Sequence, residues 1–151
     1  MQDVVLGGLI VWAAAIAVMD WRQRKVPNAL LLALLLPALA CLVYSGRGLL
    51  LAHWLPSLIG LVVGFAVTLP GYVVSKLGAG DVKLAAVIGL VVGWPLVAWV
   101  LLASALLLGA MSLAVVMAAG LGNARALRMP AAVALAGGLI AVLVAQTGGW
   151  L

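Results

Sequence analysis

Long stretches without charge constrain this chain more than any other feature of its sequence. Five of them, of 16, 21, 28, 41 and 23 residues, cover residues 4–19, 26–46, 48–75, 84–124 and 129–151. A helix needs about 20 apolar residues to cross the hydrocarbon core of a bilayer. Charged residues are only 7% of the chain, against about 25% in soluble domains. The sequence therefore excludes a soluble globular enzyme and predicts an integral membrane protein.

The longest of these stretches is long enough for two spans. It divides naturally at Trp94-Pro95, because proline favours the first turn of a new helix. We therefore predict an all-α, polytopic membrane protein, a bundle of six transmembrane helices that forms one domain over residues 1–151. The expected helices cover about 4–20, 28–44, 51–74, 81–93, 95–119 and 130–147, with ends uncertain by about two to four residues.

Basic residues are unevenly divided between the two sides of such a bundle. One side receives the loops at 21–27, 75–83 and 120–129, with seven basic residues. The other side receives Arg47 and both termini. By the positive-inside rule the first side is cytoplasmic. The net charge of +5 is thus explained by orientation in an inner (cytoplasmic) membrane, and no nucleic-acid partner is expected. The seven residues are Arg22, Arg24, Lys25, Lys76, Lys83, Arg125 and Arg128.

The three acidic residues are the most informative side chains. Asp3 lies beside the N-terminus, where water solvates it, whereas Asp20 ends the first predicted helix and Asp81 opens the fourth, both on the cytoplasmic side. Acids at membrane depth are costly and mark functional sites, although each could instead form an ion pair with a basic neighbour. Two carboxylates facing one cavity would share a proton, which is the state of an aspartic-protease dyad.

Glycines precede the second of these acids. Gly78 and Gly80 flank Ala79 directly before Asp81, and glycine reaches backbone conformations that are closed to other residues. They would let an extended substrate strand approach the main chain. The alternative is an ordinary interhelical loop in which Asp81 is the N-cap of the next helix.

Two segments together resemble the type IV prepilin peptidases. Asp20, its basic loop and Val26-Pro27-Asn28 resemble one motif of that family, and residues 78–84 resemble its G-x-G-D-x-K-L segment. The resemblance implies a G-x-G-D intramembrane aspartic protease with Asp20 and Asp81 as the catalytic residues. Such an enzyme removes the short basic leader of a prepilin after a glycine, at the cytoplasmic face. Archaeal preflagellin peptidases share this architecture.

The resemblance also sets expectations for partners and for the other residues. Long bacterial members carry an N-terminal methyltransferase extension with cysteine motifs; with one cysteine, this chain resembles the short form that serves Flp/Tad-type pili. The expected partners are a prepilin or pseudopilin and the lipid bilayer, and the oligomeric state is left open. Gly78, Gly80 and Lys83 are expected in the active-site loop or in substrate binding, where Lys83 either binds a substrate carboxyl or extends to the interface. No cofactor or metal is expected, because His53 has no second His or Cys ligand nearby.

Two other classes of function remain open at this point. The first is a small proton-coupled transporter, although transporters usually place their coupling groups near the midplane. The second is a non-enzymatic subunit of a pilus or secretion assembly, with the acids in ion pairs. Incubation with a prepilin-like peptide would separate all three.

Helix dipoles suggest which carboxyl of a dyad would act as the general base and which as the general acid. Asp81 lies at a helix N-terminus, where the dipole favours an anion, and Lys83 acts in the same direction. Asp20 lies at a helix C-terminus, where the dipole disfavours an anion. Asp81 is therefore predicted to activate water and Asp20 to donate to the substrate carbonyl, provided that Arg22 and Arg24 face lipid headgroups.

The charge distribution makes a prediction about topology. In a Cys41→Ala background, a cysteine introduced near Arg47 should react with a membrane-impermeant maleimide added to intact cells, while one near Arg125 should be protected until the membrane is opened. The reverse pattern would contradict both the orientation and a cytoplasmic active site.

Overall fold

The computed structural model describes residues 2–23, 27–50, 53–74, 77–124 and 131–149, and within these ranges it contains six helices and no strand. The all-α prediction is confirmed, and each predicted helix has an observed counterpart. Four helices (α1, α2, α3 and α5 below) are long and apolar enough to cross a membrane, so six spans are not established. The helices are α1 (Gln2–Gln23), α2 (Asn28–Ser45), α3 (Trp54–Val73), α4 (Ala79–Val92), α5 (Leu96–Ala124) and α6 (Ala131–Thr147).

The short helix α4 forms the centre of the bundle. It has 14 residues, or about 21 Å at 1.5 Å per residue, and it contacts α2, α3, α5 and α6. From Leu84 onward nearly every side chain is buried. Protein and lipid are equally apolar surroundings, so an uncharged stretch alone did not reveal that this helix is enclosed by other helices.

Glycines allow α3 and α4 to pack backbone against backbone. A Cβ added at Gly60 would overlap the Gly89 carbonyl and lie 2.9 Å from the Gly93 Cα. A Cβ at Gly64 would overlap the Ala85 carbonyl in the same way. Small residues that let backbones approach are the usual means of helix association in membranes. This contact holds α4 antiparallel to α3.

Helix α6 joins the remaining long helices. A narrow stripe of α1, formed by Leu9, Ala13 and Ile16, is buried in the common core, and α1 packs along α6. On its other side α6 approaches α5 closely, since a Cβ at Gly138 would lie 2.7 Å from the Val100 carbonyl oxygen. Between α1 and α2, the Trp12 indole donates a hydrogen bond of 2.9 Å to the Leu30 carbonyl.

The connections that the sequence assigned to the outer side meet at one end of the bundle. The Trp94 N–H donates to the Pro56 carbonyl over 2.9 Å, and the Trp54 N–H donates to Gly46. Arg47 and His53 pair in an isolated bridge beside them. Several predicted orientation charges lie outside the described residues: Arg24, Lys25, Lys76, Arg125 and Arg128.

The close contact between α3 and α4 predicts that an added methyl group destabilises the protein at Gly60 but not at a glycine outside the contact. Gly60→Ala should lower the free energy of unfolding by about 1–3 kcal/mol, because the added methyl overpacks the contact with α4. Gly109→Ala is the matched control, since nothing lies within 4 Å of its added Cβ, and it should be neutral or stabilising by up to about 1 kcal/mol. Unfolding in detergent, followed by helical circular dichroism, measures both. Equal stability of the two variants would contradict the close packing.

Candidate functional site

Asp20 is a buried carboxyl in the last turn of α1. The sequence placed it at the end of this helix, but the helix continues through Trp21 and Arg22 to Gln23. Asp20 is 5% exposed, whereas Trp21 is 67% exposed. The difference arises because residue 20 extends the stripe of Ala13 and Ile16 that faces α6, at the helical spacing of three and four residues.

The partner of Asp20 is the beginning of α6. Its Oδ2 accepts a hydrogen bond of 3.3 Å from the Val133 N–H, across a sequence separation of 113 residues, and the Ala132 N–H also points to the carboxyl. The first N–H groups of a helix have no acceptor within the helix. The carboxyl of Asp20 therefore caps α6, and within the described residues its partners are backbone groups, not basic side chains. Of the basic residues considered for an ion pair, Arg22 and Lys83 are described and do not bond to Asp20, whereas Arg24 lies outside the described residues.

Asp81 lies in the first turn of α4, two residues after the helix begins. Gly78 occupies the N-cap position, so the alternative that made Asp81 the N-cap is wrong. The Oδ2 of Asp81 accepts a hydrogen bond of 2.9 Å from the Gly78 N–H. In a capping box the side chain of the third helical residue, here Asp81, accepts the N–H of the N-cap residue. The reciprocal bond from an N-cap side chain is not possible, because the N-cap residue is Gly78. Asp81 is half-buried.

Gly78 and Gly80 do not adopt the unusual backbone conformations that the sequence suggested. Gly78 has φ −79° and ψ 152°, an extended conformation that any residue adopts, and Gly80 is helical without a positive φ. What Gly78 supplies is space, because a Cβ there would lie 3.1 Å from the Asp81 Oδ2. Lys83 is exposed, two residues beyond the acid on α4.

The structure places Asp20 and Asp81 at the same end of the bundle. The backbone around Val133 holds Asp20, and Gly78 holds Asp81. A cavity between α3, α5 and α6 is lined both by Leu77, the neighbour of Gly78, and by Ala131 and Ala134 of α6. The segments that bind the two carboxyls therefore border one cavity. Asp3, by contrast, lies at the opposite end of α1, about 25 Å away along the helix axis.

The helix dipoles at Asp20 are not those that the sequence suggested, because this residue lies both in the last turn of α1 and at the start of α6. Asp81 accepts an N–H at the start of α4, and Asp20 accepts one at the start of α6, so both are at positive helix ends. The sequence showed only the helix to which Asp20 belongs. Burial is what separates them: Asp81 is half-buried and Asp20 is buried, so Asp81 is more open to water.

Carboxyl groups are the reactive groups at this end of the bundle. Within the described residues no group of three or more His, Cys, Asp or Glu side chains could hold a metal ion, and His53 lies at the opposite end, beside Arg47. Two carboxyls can supply one general base and one general acid.

The sequence did not indicate that Val133 and Ala132 bind Asp20. The only signal for them was the predicted start of the sixth helix.

The chain is similar to a known protein family. The sequence model of the type IV leader peptidase family matches residues 8–113, a range that includes Asp20 and Asp81. No curated protein and no solved structure shows a significant match.

Proposed function

Because the chain belongs to the type IV leader peptidase family, we propose that it is an aspartic endopeptidase with Asp20 and Asp81 as its catalytic pair. Its substrate is a prepilin or pseudopilin of the Flp type, from which it removes the short basic leader after a glycine. The cut takes place at the cytoplasmic face of the inner membrane. The observation that carries the proposal is the location of both carboxyls at one end of the bundle, each held by backbone N–H groups.

The two carboxyls divide a peptide hydrolysis between a base and an acid. The ionised one takes a proton from water while the oxygen of that water bonds to the scissile carbonyl carbon. The protonated one donates its proton to the carbonyl oxygen, which gives a neutral tetrahedral diol. When the C–N bond breaks, the proton taken from water passes to the leaving nitrogen, and a diol hydroxyl returns a proton to the other carboxyl. Water is consumed, and both groups regain their initial states.

Access to water supports Asp81 as the base. It is the less buried of the two carboxyls, and its Oδ2 is oriented by the Gly78 N–H. Asp20 would then face the substrate carbonyl as the acid, fixed by the first turn of α6. Because hydrogen-bonded groups of the backbone orient both carboxyls, little reorganisation is needed when a substrate binds.

Charge supports the cytoplasmic face as the site of cleavage. Seven of the eight basic residues of the chain fall, by their sequence positions, in or next to the connections at the end that carries Asp20 and Asp81, which is the distribution typical of a cytoplasmic face. Both termini would then be outside. A proton-coupled transporter is less well supported, since both acids are at one end of the bundle and not at its midplane. A non-enzymatic subunit of an assembly is less well supported, because the family to which the chain belongs is a family of peptidases.

Substitution of either acid tests this function. Asp20→Asn and Asp81→Asn should each reduce cleavage of a peptide with a basic leader, a glycine and an apolar helix by at least about 100-fold, because the reaction loses its acid or its base. Cleavage by purified protein in detergent or liposomes is measured by mass spectrometry. Asp3→Asn is the matched control and should retain nearly full activity. Substantial activity in either variant, in protein that keeps its helical content, would contradict the mechanism.

Lys83 offers a test of substrate recognition. If its ammonium group binds an acidic residue that follows the cut, Lys83→Gln should raise KM about two- to fivefold, the range of an exposed ion pair. The effect should disappear with a substrate in which that acid is replaced by its amide. Arg22→Gln, which removes an exposed charge beside Asp20, should not discriminate between the two substrates. An equal rise in KM for both substrates with Lys83→Gln would exclude direct pairing.

A further inference from the structure

An open groove lies on the surface of the bundle, between the last turns of α1 and the first turn of α6. Its walls are formed by Ala17, Val18, Trp21 and Arg22 of α1 and by Val133 of α6. The groove has a volume of about 270 Å³, and three of its residues, Val18, Trp21 and Arg22, are exposed. The proposed chemistry gives this groove no role.

The packing of α1 on α6 creates the groove. The four groove residues of α1 form one face at the helical spacing of three and four residues, directly beside the buried stripe that ends at Asp20. Val133 belongs to both features, because its N–H donates to the Asp20 Oδ2 over 3.3 Å and the same residue lines the groove. A molecule in the groove therefore lies against the contact that holds Asp20.

The polarity of the groove changes with depth in the membrane. Along the apolar helix α1, the rise from Val4 to Arg22 is about 27 Å, close to the thickness of about 30 Å of the hydrocarbon core. Arg22 therefore lies at the level of the lipid headgroups, with Trp21 beside it, where aromatic side chains are enriched. Val18 and Ala17 lie about 6 and 7.5 Å deeper, among the acyl chains.

The guanidinium of Arg22 is available to a ligand. Among the described residues that line the groove, Arg22 alone is charged, and it forms no hydrogen bond or ion pair with any other described residue. The neighbouring acid, Asp20, is 5% exposed and is directed to α6. A guanidinium has five N–H donors and no acceptor, and its planar shape matches a phosphate in a bidentate pair.

We propose that this groove binds one phospholipid with an anionic headgroup, whose phosphate pairs with Arg22 and whose acyl chain lies against Ala17, Val18 and Val133. Charge favours this occupant. Seven of the eight basic residues fall, by their sequence positions, in or next to the connections at this end of the bundle, and basic groups beside membrane-spanning helices attract anionic lipids. A free phosphate would leave the apolar wall of the groove uncovered.

A lipid in this groove contacts both α1 and α6. A ligand that binds only the folded arrangement stabilises it, so the lipid supports the helix contact in which the Val133 N–H holds Asp20. Arg22 and Trp21 act on the lipid in this proposal and not on a substrate. The inference depends on insertion in a bilayer and not on peptidase activity, so it can fail while the proposed function stands.

Quenching of Trp21 fluorescence by lipids with brominated acyl chains measures occupancy of the groove. The purified protein is reconstituted in phosphatidylcholine vesicles that contain a fixed fraction of brominated phosphatidylglycerol or brominated phosphatidylcholine. Each protein is compared with the same protein carrying Trp21→Phe, and the difference isolates the signal of Trp21. We expect the groove to prefer the anionic lipid about fivefold, the effect of one basic side chain near the membrane surface.

Exposed positions supply the variants and their matched controls. Arg22→Gln should abolish the preference, whereas Lys83→Gln removes an exposed charge at the same end of the bundle, outside the groove, and should retain it. Val18→Phe fills the apolar wall and should lower the quenching by phosphatidylglycerol although Arg22 is retained. Val11→Phe should not, because Val11 is exposed two turns earlier on α1 and does not line the groove.

Three results would overturn the proposal. The first is equal quenching of Trp21 by the two brominated lipids in the wild-type protein. The second is an equal loss of preference in Arg22→Gln and Lys83→Gln, since general surface charge would then attract the lipid. The third is displacement of the brominated lipid by soluble glycerol phosphate, together with equal quenching in Val18→Phe and Val11→Phe, since the phosphate alone would then account for binding.

Discussion

Helix ends are the places where a membrane protein must find hydrogen-bond partners for its backbone. The first N–H groups of each helix have no acceptor within the helix, and the bilayer core offers no water to replace one. Two of the three acids of this chain meet that requirement. Asp20 accepts the Val133 N–H at the start of α6, and Asp81 accepts the Gly78 N–H at the start of α4. The groups that complete the backbone bonding of these helices are thus also the reactive groups of the proposed site.

Close packing of α3 on α4 determines where one of these acids lies. Gly60, Gly64 and Gly89 allow the two backbones to touch, and α4 is short and enclosed by four other helices. Asp81 is consequently carried on a helix that cannot tilt or slide without breaking several contacts. Asp20 is held differently, by the packing of α1 along α6. Relative motion of these two helix pairs would change the geometry of the site more than motion within either pair.

The two ends of the bundle differ in chemistry. One end carries both acids and the exposed Lys83, while the other carries Arg47, His53 and Trp94 in a network of backbone bonds. In the proposed function this separation matters, because the leader of the substrate is basic and its remainder is apolar. Carboxyls at the end of the bundle that carries the basic loops suit a cut at the boundary between those two parts.

The sequence by itself determined the helical class, the order of the helices, their approximate ends and the two acids that belong to one end of the bundle. These follow from the positions of a few charges in an apolar chain, and a charge is costly at membrane depth wherever the chain folds. Only the tertiary structure decided that α4 is enclosed by protein, that Val133 holds Asp20, and that Gly78 supplies space next to Asp81 instead of an unusual backbone conformation. Lipid and protein interiors are alike in polarity, so hydropathy does not separate them. Contacts across 113 residues depend on which helix faces pack together, and in this chain steric fit between small residues, not charge, makes that choice.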